Sequence, residues 1–325
     1  MSGPLRVGVL GCADIARRRM LPALAAADGV RIAAVASRTA GRAAEPAGVY
    51  GAVPVHGYRQ LIERDDVDAV YVPLPTALHA EWTERALRAG KHVLAEKPLS
   101  TDPERSRRLV LLARESGLFL MENVMFVHHP VHAAVRALVA DGAIGELRSF
   151  QAVFAIPRLP DDDIRHRADL GGGALWDTGV YPARAALTFL GDDLEVVGAR
   201  LEHGAGREVD TAGQALLRTP DGVGAHLAFG LDHAYRSCYE LWGSKGRITV
   251  ERAFTPPADF VPDVVLETAG RRMSLPYAAA DQVARTVAAF AAGVRAGAPP
   301  DTDCLRQARL LHEIRQAALA RVPVR

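Results

Sequence analysis

The chain has 325 residues, with 39 Lys and Arg against 38 Asp and Glu, and 49% of it is hydrophobic. This near-neutral globular composition predicts no nucleic-acid or membrane partner, because no strong surface field is available. The three cysteines are widely separated, no apolar run reaches 18 residues, and the start leads directly into a strand. We therefore expect a cytoplasmic protein without disulfides, a membrane span or a signal peptide.

Short apolar runs alternate with helical patterns up to about residue 123. The predicted strands are Leu5–Leu10, 31–38, 69–75, 92–98 and 118–123. Strands alternating with helices of this length predict βαβ units and a parallel sheet with right-handed crossovers.

The second half has a different pattern. It predicts a helix over 130–141, a strand over 146–156, one helix over 175–191, antiparallel strands over 195–275, and helices over 281–294 and 303–320. We therefore expect an α/β protein with an N-terminal doubly wound Rossmann domain, residues 1–122. Residues 123–325 would form a C-terminal α+β domain on a mostly antiparallel sheet, with last helices that can pack back on the first domain.

The stretch VGVLGCADIARR lies where a dinucleotide fingerprint belongs, after the first strand. Gly11 supplies the tight turn, but alanines stand at the second and third glycine positions. The fingerprint is therefore imperfect, and the βαβ units around it are what favour nucleotide binding. The expected cofactor loop comprises Gly11, Cys12, Ala13, Asp14 and Ile15.

The end of the second strand indicates which nucleotide binds. An NAD site would place an acidic residue there, whereas this chain has Ser37 and Arg38 with Arg42 nearby. A hydroxyl and a guanidinium suit a 2′-phosphate, so we predict NADP(H). The alternative is a solvated loop arginine in an arginine-rich chain.

Lys97 stands out because the chain contains only two other lysines, Lys91 and Lys245. It follows the fourth strand and precedes Pro98, at the sheet edge where ligands bind in open α/β folds. An ammonium can polarise a carbonyl or pass a proton, which a guanidinium cannot do readily. The alternative is a surface lysine at a strand end.

Four motifs, VGVLGCADIA, VPLPTALHAEW, AEKP and GGGALWDTGVYP, occur in this order and are followed by a GSKG turn. Together they resemble the glucose–fructose oxidoreductase and inositol dehydrogenase family. The resemblance implies hydride transfer with NAD or NADP at a sugar or cyclitol carbon. It also implies a homodimer or homotetramer formed through the open sheet of the second domain.

The same resemblance implies a catalytic role for the lysine of EKP, Lys97. It places a further group at the cofactor: Pro73, Leu74, Thr76, His79, Glu96 and Lys97.

Asp177 and Tyr181 are spaced i, i+4 and would share one face of a continuous helix. Many relatives carry His where this chain has Tyr181. A neutral imidazole suits alcohol oxidation as a base, whereas a phenol is protonated near neutral pH and suits donation. Tyr181 therefore favours carbonyl reduction.

Within the family, GCADIARR and GGALWDTGVYP resemble the sugar 3-ketoreductases of nucleotide-linked deoxysugar biosynthesis. The implied reaction is NADPH-dependent reduction of a dTDP-linked 3-keto-6-deoxyhexose. Tyr181 would donate the proton, Lys97 would hydrogen-bond the same oxygen, and Asp177 would orient a substrate hydroxyl next to the ketone.

The diphosphate of such a substrate would need cations, and its base or sugar could stack on an aromatic ring. Candidate cations are Arg158, Arg165, Arg167 and Lys245, and candidate rings are Trp176, Tyr235 and Trp242. In this arginine-rich chain any one of these cations can equally be solvated.

Three other interpretations remain open. The HHPVH segment, with His128, His129 and His132, could suggest a metal, but no matching further ligand is identifiable and we expect none. The enzyme could instead be an NADP-dependent dehydrogenase of a free sugar or dihydrodiol. A non-enzymatic dinucleotide sensor is the third, although a sensor need not keep Lys97 and Tyr181.

Overall fold

The computed structural model describes residues 3–320, and the chain forms two compact units. The first unit runs to Val124 and includes Gln282–Leu305. The second comprises Met125–Asp281 and, within the described chain, residues 306–320. Among the described residues no helix is long and apolar enough to cross a membrane.

The helices follow in chain order. They are α1 Leu21–Ala26, α2 Ala44–Val49, α3 Tyr58–Ile62, α4 Thr76–Arg88, α5 Pro103–Glu115, α6 Pro130–Ala140, α7 Ala174–Asp177, α8 Val180–Leu190, α9 Gln282–Ala296 and α10 Asp303–Leu319. A π-helical turn, Ala16–Met20, precedes α1. Pro22 lies just after this turn and has no N–H to give, which accounts for the departure from regular helix there.

The first unit is built on a parallel sheet. Its strands in the described chain are β1 Leu5–Leu10, β2 Val30–Ser37, β3 Val53–His56, β4 Ala69–Val72, β5 His92–Glu96 and β6 Leu120–Asn123, in the order β3-β2-β1-β4-β5-β6. This doubly wound arrangement confirms the predicted fold class. Strand β3 was not predicted, because it has four residues, includes Pro54 and is largely exposed.

Helix α9 belongs to the first unit although it lies late in the chain. It packs against α1, and the Arg295 guanidinium donates to the carbonyl oxygens of Asp28 and Gly29 at 3.0 and 2.7 Å. A C-terminal helix thus completes the N-terminal fold.

The second unit contains a larger sheet. Its strands within the described residues are β7 Leu147–Ala155, β8 Glu195–His203, β9 Asp210–Arg218, β10 Gly224–Gly230, β11 Arg236–Gly243, β12 Gly246–Glu251, β13 Asp263–Thr268 and β14 Arg271–Leu275. The order is β14-β13-β12-β11-β7-β10-β9-β8, and every pair is antiparallel except β7 with β10. The prediction of a mostly antiparallel sheet is confirmed.

One face of this sheet is covered and the other is open. Helix α8 packs on β7 and β10, and the Phe189 ring of α8 lies 5.9 Å from Phe150 of β7. The opposite face carries a row of paired residues that includes Leu216, His226, Gln151 and Glu240. The open face is therefore mixed polar and apolar.

The prediction of one helix over 175–191 was wrong. Helix α7 ends at Asp177 and α8 begins at Val180, because the Gly179 N–H bonds Ala174 O, five residues back, at 2.8 Å. A Cβ at Gly179 would lie 2.7 Å from Leu175 O, so only glycine allows this tight junction. Asp177 thus closes the first helix and Tyr181 lies in the first turn of the second.

Candidate active site

The glycine turn after β1 brings three segments together. Gly11 has a φ of +107°, and its N–H donates to Ala36 O at 2.9 Å. A Cβ on Gly11 would lie 3.1 Å from Leu74 Cδ2 and 3.5 Å from the Tyr58 hydroxyl. Because this φ and this spacing both disfavour a side chain, the backbone stays open to a close ligand such as a pyrophosphate.

The residues after Gly11 differ in exposure. The Cys12 thiol lies 3.6 Å from Arg42 O, and partial burial raises its pKa. Ala13 O accepts from Arg17 N at 3.0 Å, while Asp14 and Ile15 are exposed at the start of the helical segment. The predicted cofactor loop therefore lies at the open edge of the sheet.

An exposed arginine follows the end of β2. Ser37 is buried and its hydroxyl accepts from Thr39 N at 3.1 Å, whereas Arg38 is exposed. The Arg38 guanidinium lies over the Tyr58 ring, 5.9 Å from its centroid. Burial raises the pKa of Tyr58, and the nearby Arg38 charge acts in the opposite direction. An exposed guanidinium steadied by an aromatic ring fits a 2′-phosphate.

The turn after β4 is held by His79. Helix α4 begins at Thr76, directly after the turn. His79 is 2% exposed, and its ring nitrogens lie 2.7 Å from Pro98 O and 2.6 Å from Leu74 O. Burial lowers the pKa of His79. The predicted cofactor residue His79 thus ties the β4 turn to the segment after Lys97 rather than presenting its ring to solvent.

Lys97 follows β5 at the carboxyl edge of the sheet. It is partly exposed between the buried residues Glu96 and Pro98, and the Lys97–Pro98 peptide bond is cis. The Glu96 carboxylate accepts 2.6 Å hydrogen bonds from the Tyr71 hydroxyl and the Asn123 amide. Glu96 and Lys97 therefore both lie at the carboxyl edge of the sheet, which also carries the glycine turn after β1.

Tyr181 is packed among aromatic rings in the second unit. Its ring centroid lies 4.6 Å from Phe154 in an edge-to-face arrangement, 5.8 Å from Phe254 and 6.2 Å from Phe126. Such contacts fix a ring while the partly exposed side chain keeps a polar end. The Tyr181 ring is therefore held in place by its aromatic neighbours.

Arg165 and Asp177 form an ion pair. The Arg165 Nε donates to Asp177 Oδ2 at 2.7 Å, and Nη1 lies 3.3 Å from Asp163 Oδ1. The two carboxylates raise the pKa of Arg165, with Asp177 contributing most. Two of the predicted substrate residues are thus brought together.

The loop that carries Arg165 is held by the GGG turn. The Gly173 N–H donates to Arg165 O at 2.9 Å, and a Cβ on Gly172 would lie 2.4 Å from that oxygen. Asp210 accepts from Leu175 N at 2.7 Å, and burial raises the pKa of this carboxyl. No local pattern predicted Asp210, because its partner is 35 positions away in the sequence.

The other predicted substrate residues are scattered. Arg158 is exposed and pairs with Asp161 at 3.1 Å, and Arg167 pairs with Asp169 at 2.6 Å. Tyr235 is 42% exposed, and its hydroxyl lies 3.2 Å from Thr255 Oγ1. The Tyr235 ring is thus exposed and lies 6.5 Å from Phe154, with the Arg252 guanidinium 5.6 Å from its centroid.

Three expectations need correction. Trp176 is 7% exposed with Arg315 over its ring, so it packs in the interior and cannot stack on a base. Trp242 lies on the open face of the sheet, opposite α8. Lys245 follows Gly243, which pairs with Leu147 at the far end of β7 from Phe154. Leu147 and Phe154 are seven residues apart along β7, so Lys245 lies roughly 20 Å from the Phe154 ring that packs on Tyr181.

Two histidines of the HHPVH segment make structural contacts within the second unit. The His129 Nδ1 accepts from Val131 N at 3.2 Å and caps α6, and the His132 Nδ1 lies 2.9 Å from the Tyr239 hydroxyl. Burial lowers the pKa of His132 to about 3. In the described part of the chain, no group of three or more His, Cys, Asp or Glu side chains could hold a metal ion.

Comparison with known proteins gives matches to both units. Residues 5–124 match the family model of an oxidoreductase family with an NAD-binding Rossmann fold. Residues 132–249 match the GFO/IDH/MocA C-terminal domain.

The chain is 54% identical over 320 residues to dTDP-3,4-didehydro-2,6-dideoxy-alpha-D-glucose 3-reductase of Actinomadura kijaniata, covering 98% of this chain and 96% of that protein. A D-xylose 1-dehydrogenase (NADP(+)) of Haloferax volcanii is 34% identical over 300 residues and covers 91% of both chains.

A crystal structure of a 3-ketoreductase from Actinomadura kijaniata in complex with NADP and TDP-benzene has a TM-score of 0.95 and 54% identity to this chain. The match covers 97% of this chain and 98% of that one. Other crystal structures of the same protein carry a Tyr-to-Phe or a Lys-to-Ala replacement. The chain therefore belongs to the GFO/IDH/MocA oxidoreductase family.

Proposed function

We propose that this protein is an NADPH-dependent sugar 3-ketoreductase. Its substrate is a dTDP-linked 3-keto-6-deoxyhexose of the kind named for its Actinomadura relative. One observation carries the proposal: the lysine and tyrosine replaced in that 3-ketoreductase are separated by the same number of positions as Lys97 and Tyr181.

The residues of the first unit fit NADP(H). The open glycine turn suits the pyrophosphate, and the exposed Arg38 guanidinium at the end of β2 suits a 2′-phosphate. The β4 turn and Glu96 border the nicotinamide end. When bound, the cofactor supplies the hydride that reaches carbon 3 of the sugar.

Tyr181 and Lys97 act on the oxygen of the reacting carbonyl. The Tyr181 hydroxyl donates its proton to that oxygen as negative charge develops there, so that the ketone becomes an alcohol. The Lys97 ammonium hydrogen-bonds the same oxygen and stabilises the developing charge. One hydride and one proton balance the reduction.

Asp177 has a different role from the one first expected. The substrate named for the relatives is deoxygenated at carbon 2 and has a carbonyl at carbon 4, so no hydroxyl flanks the 3-ketone. We assign Asp177 to holding Arg165. The hydrogen bonds of Arg165 to described residues use Nε, Nη1 and the backbone N–H, which leaves Nη2 for a substrate oxygen.

Purified protein supplied with NADPH and a freshly generated dTDP-linked 3-keto-6-deoxyhexose should oxidise NADPH rapidly. The unlinked keto-sugar and NADH serve as controls and should react at least tenfold more slowly. No turnover of the linked sugar, with NADPH still bound, contradicts the proposal. Oxidation of a free sugar with NADP⁺ would instead favour the activity named for the Haloferax relative.

We also propose that the protein is cytoplasmic, because three free cysteines are typical of a reducing compartment.

We further propose that two copies associate through the open face of the second sheet. Leu216 and Trp242 on that face are 48% and 56% exposed. Trp242→Glu should lower the mass measured by light scattering while NADPH binding persists. An unchanged mass contradicts this interface.

A further inference from the structure

Three polar side chains meet on neighbouring strands of the first sheet. Tyr71, Glu96 and Asn123 lie at the carboxyl ends of β4, β5 and β6. In register, Glu96 pairs with Asn123, and Tyr71 pairs with Leu94, two residues before Glu96. Since side chains alternate along a strand, all three project from the same face of the sheet.

Both hydrogen bonds converge on one oxygen of the Glu96 carboxylate. The Tyr71 hydroxyl and the Asn123 Nδ2 each lie 2.6 Å from Oε1. Tyr71 is 0%, Asn123 1% and Glu96 8% exposed. The hydrogen bonds that Glu96 makes within the described chain do not involve Oε2.

Fold stability alone does not account for this trio. A buried carboxylate is costly unless it is hydrogen-bonded, and apolar residues of similar size would stabilise a sheet at least as well. Asn123 even leaves its Oδ1 buried without a partner among the described residues. The Asn123 amide therefore donates to Glu96 even though its own carbonyl oxygen is left without a hydrogen bond within the described chain.

We propose that Tyr71 and Asn123 are positioning residues that aim the second Glu96 oxygen at an O–H or N–H donor on the nicotinamide side of NADPH. Oε1 is the anchored oxygen and Oε2 is the binding oxygen. This inference rests on the proposed function, since it concerns the same cofactor. It assigns a role to Tyr71 and Asn123, which act on the cofactor through Glu96.

A double-mutant cycle on NADPH affinity tests the inference. Tyr71→Phe should weaken NADPH binding, followed by its fluorescence, about tenfold, because one hydrogen bond to a charged group is lost. Glu96→Ala should weaken it at least as much. Adding Tyr71→Phe to Glu96→Ala should change the Kd by less than twofold, because Tyr71 then has nothing to position. At saturating NADPH, kcat of Tyr71→Phe should fall less than threefold.

Tyr239→Phe is the matched control, because it removes another buried hydroxyl, 2.9 Å from the His132 Nδ1. It should leave the NADPH Kd unchanged. The inference is overturned if Tyr71→Phe binds NADPH normally, or if its effect is undiminished in the Glu96→Ala background. Asn123→Ala, run through the same cycle, decides the question if Tyr71→Phe does not fold.

The outcome also separates this inference from the proposed function. NADPH binding by the unaltered protein, with no coupling between Tyr71 and Glu96, overturns only the positioning role. No NADPH binding by the unaltered protein overturns both.

Discussion

The two units hold their functional side chains by different physical means. In the first unit Gly11, Arg38 and Lys97 lie at or just after strand ends, so the backbone of a parallel sheet brings them to one edge. In the second unit Tyr181 is held by aromatic packing and Asp177 by an ion pair.

This difference affects which amino-acid substitutions each unit tolerates. Arg38 in the first unit is exposed and Lys97 is partly exposed, so we expect a substitution there to report mainly on chemistry or binding. A residue in the second unit combines function with packing, and only a substitution that keeps the shape separates the two.

The largest effect should come from the first unit. Lys97→Met keeps the chain length and removes the ammonium, so kcat should fall about a thousandfold. NADPH affinity should change by less than about threefold, as measured by fluorescence titration. Lys91→Met is the control. Lys91 Nζ donates to the carbonyl oxygens of Arg64 and Val67 at 2.8 Å, so this substitution should leave kcat intact. Near-normal turnover of Lys97→Met would contradict its catalytic role.

A smaller loss is expected from the second unit. Tyr181→Phe keeps the ring that packs on Phe154 and removes only the proton donor, so kcat should fall about a hundredfold. The KM for the sugar should stay within about threefold, and steady-state kinetics separate the two. Tyr50→Phe is a control for loss of a phenol elsewhere, because Tyr50 directly follows helix α2. If Tyr181→Phe keeps full turnover, Lys97 becomes the proton donor.

Cofactor choice should depend on the end of β2. Arg38→Leu should lower kcat/KM for NADPH by about tenfold to thirtyfold, because a charge-assisted contact is lost. The value for NADH should change by less than about twofold. Arg59→Leu, which removes an exposed arginine paired with Glu63, is the matched control. An equal loss with both cofactors would show that Arg38 does not read the 2′-phosphate.

The smallest effect concerns stability and not catalysis. His132 is buried with its pKa lowered to about 3, so the unfolded state takes up its proton first as the pH falls below about 6.5. Stability from this group is therefore full at neutral pH and is lost progressively towards pH 3. Between pH 7 and 5 the free energy of unfolding should fall by about 2 kcal/mol more than in His132→Gln. Urea unfolding at both pH values measures this, and identical pH dependence in the two proteins contradicts it.

Much of the first unit could be predicted from sequence because its signals are local. Alternating runs indicated the parallel sheet, and GCADIA and AEKP indicated the edge that carries Gly11 and Lys97. The network of Tyr71, Glu96 and Asn123 could not be predicted, because its members are spread over more than fifty positions and meet only through strand pairing.

The second unit was less predictable for the same reason. The spacing of Asp177 and Tyr181 indicated one helix, but the contact of Gly179 with Ala174 and Leu175 divides it. Trp176, Trp242 and Lys245 were plausible ligand contacts by type. Whether a ring faces the interior, the open sheet face or a ligand depends on register and packing, which no short motif encodes.

The fold class could be inferred from the periodicity of the amino-acid sequence, and the family, with the lysine and tyrosine of the proposed chemistry, from the resemblance of its short motifs. The folded chain was needed to see that Arg165 pairs with Asp177, that His79 joins two turns, and that Tyr71 and Asn123 hold Glu96. These contacts join groups that are separated along the sequence, so their energies exist only once the chain has folded.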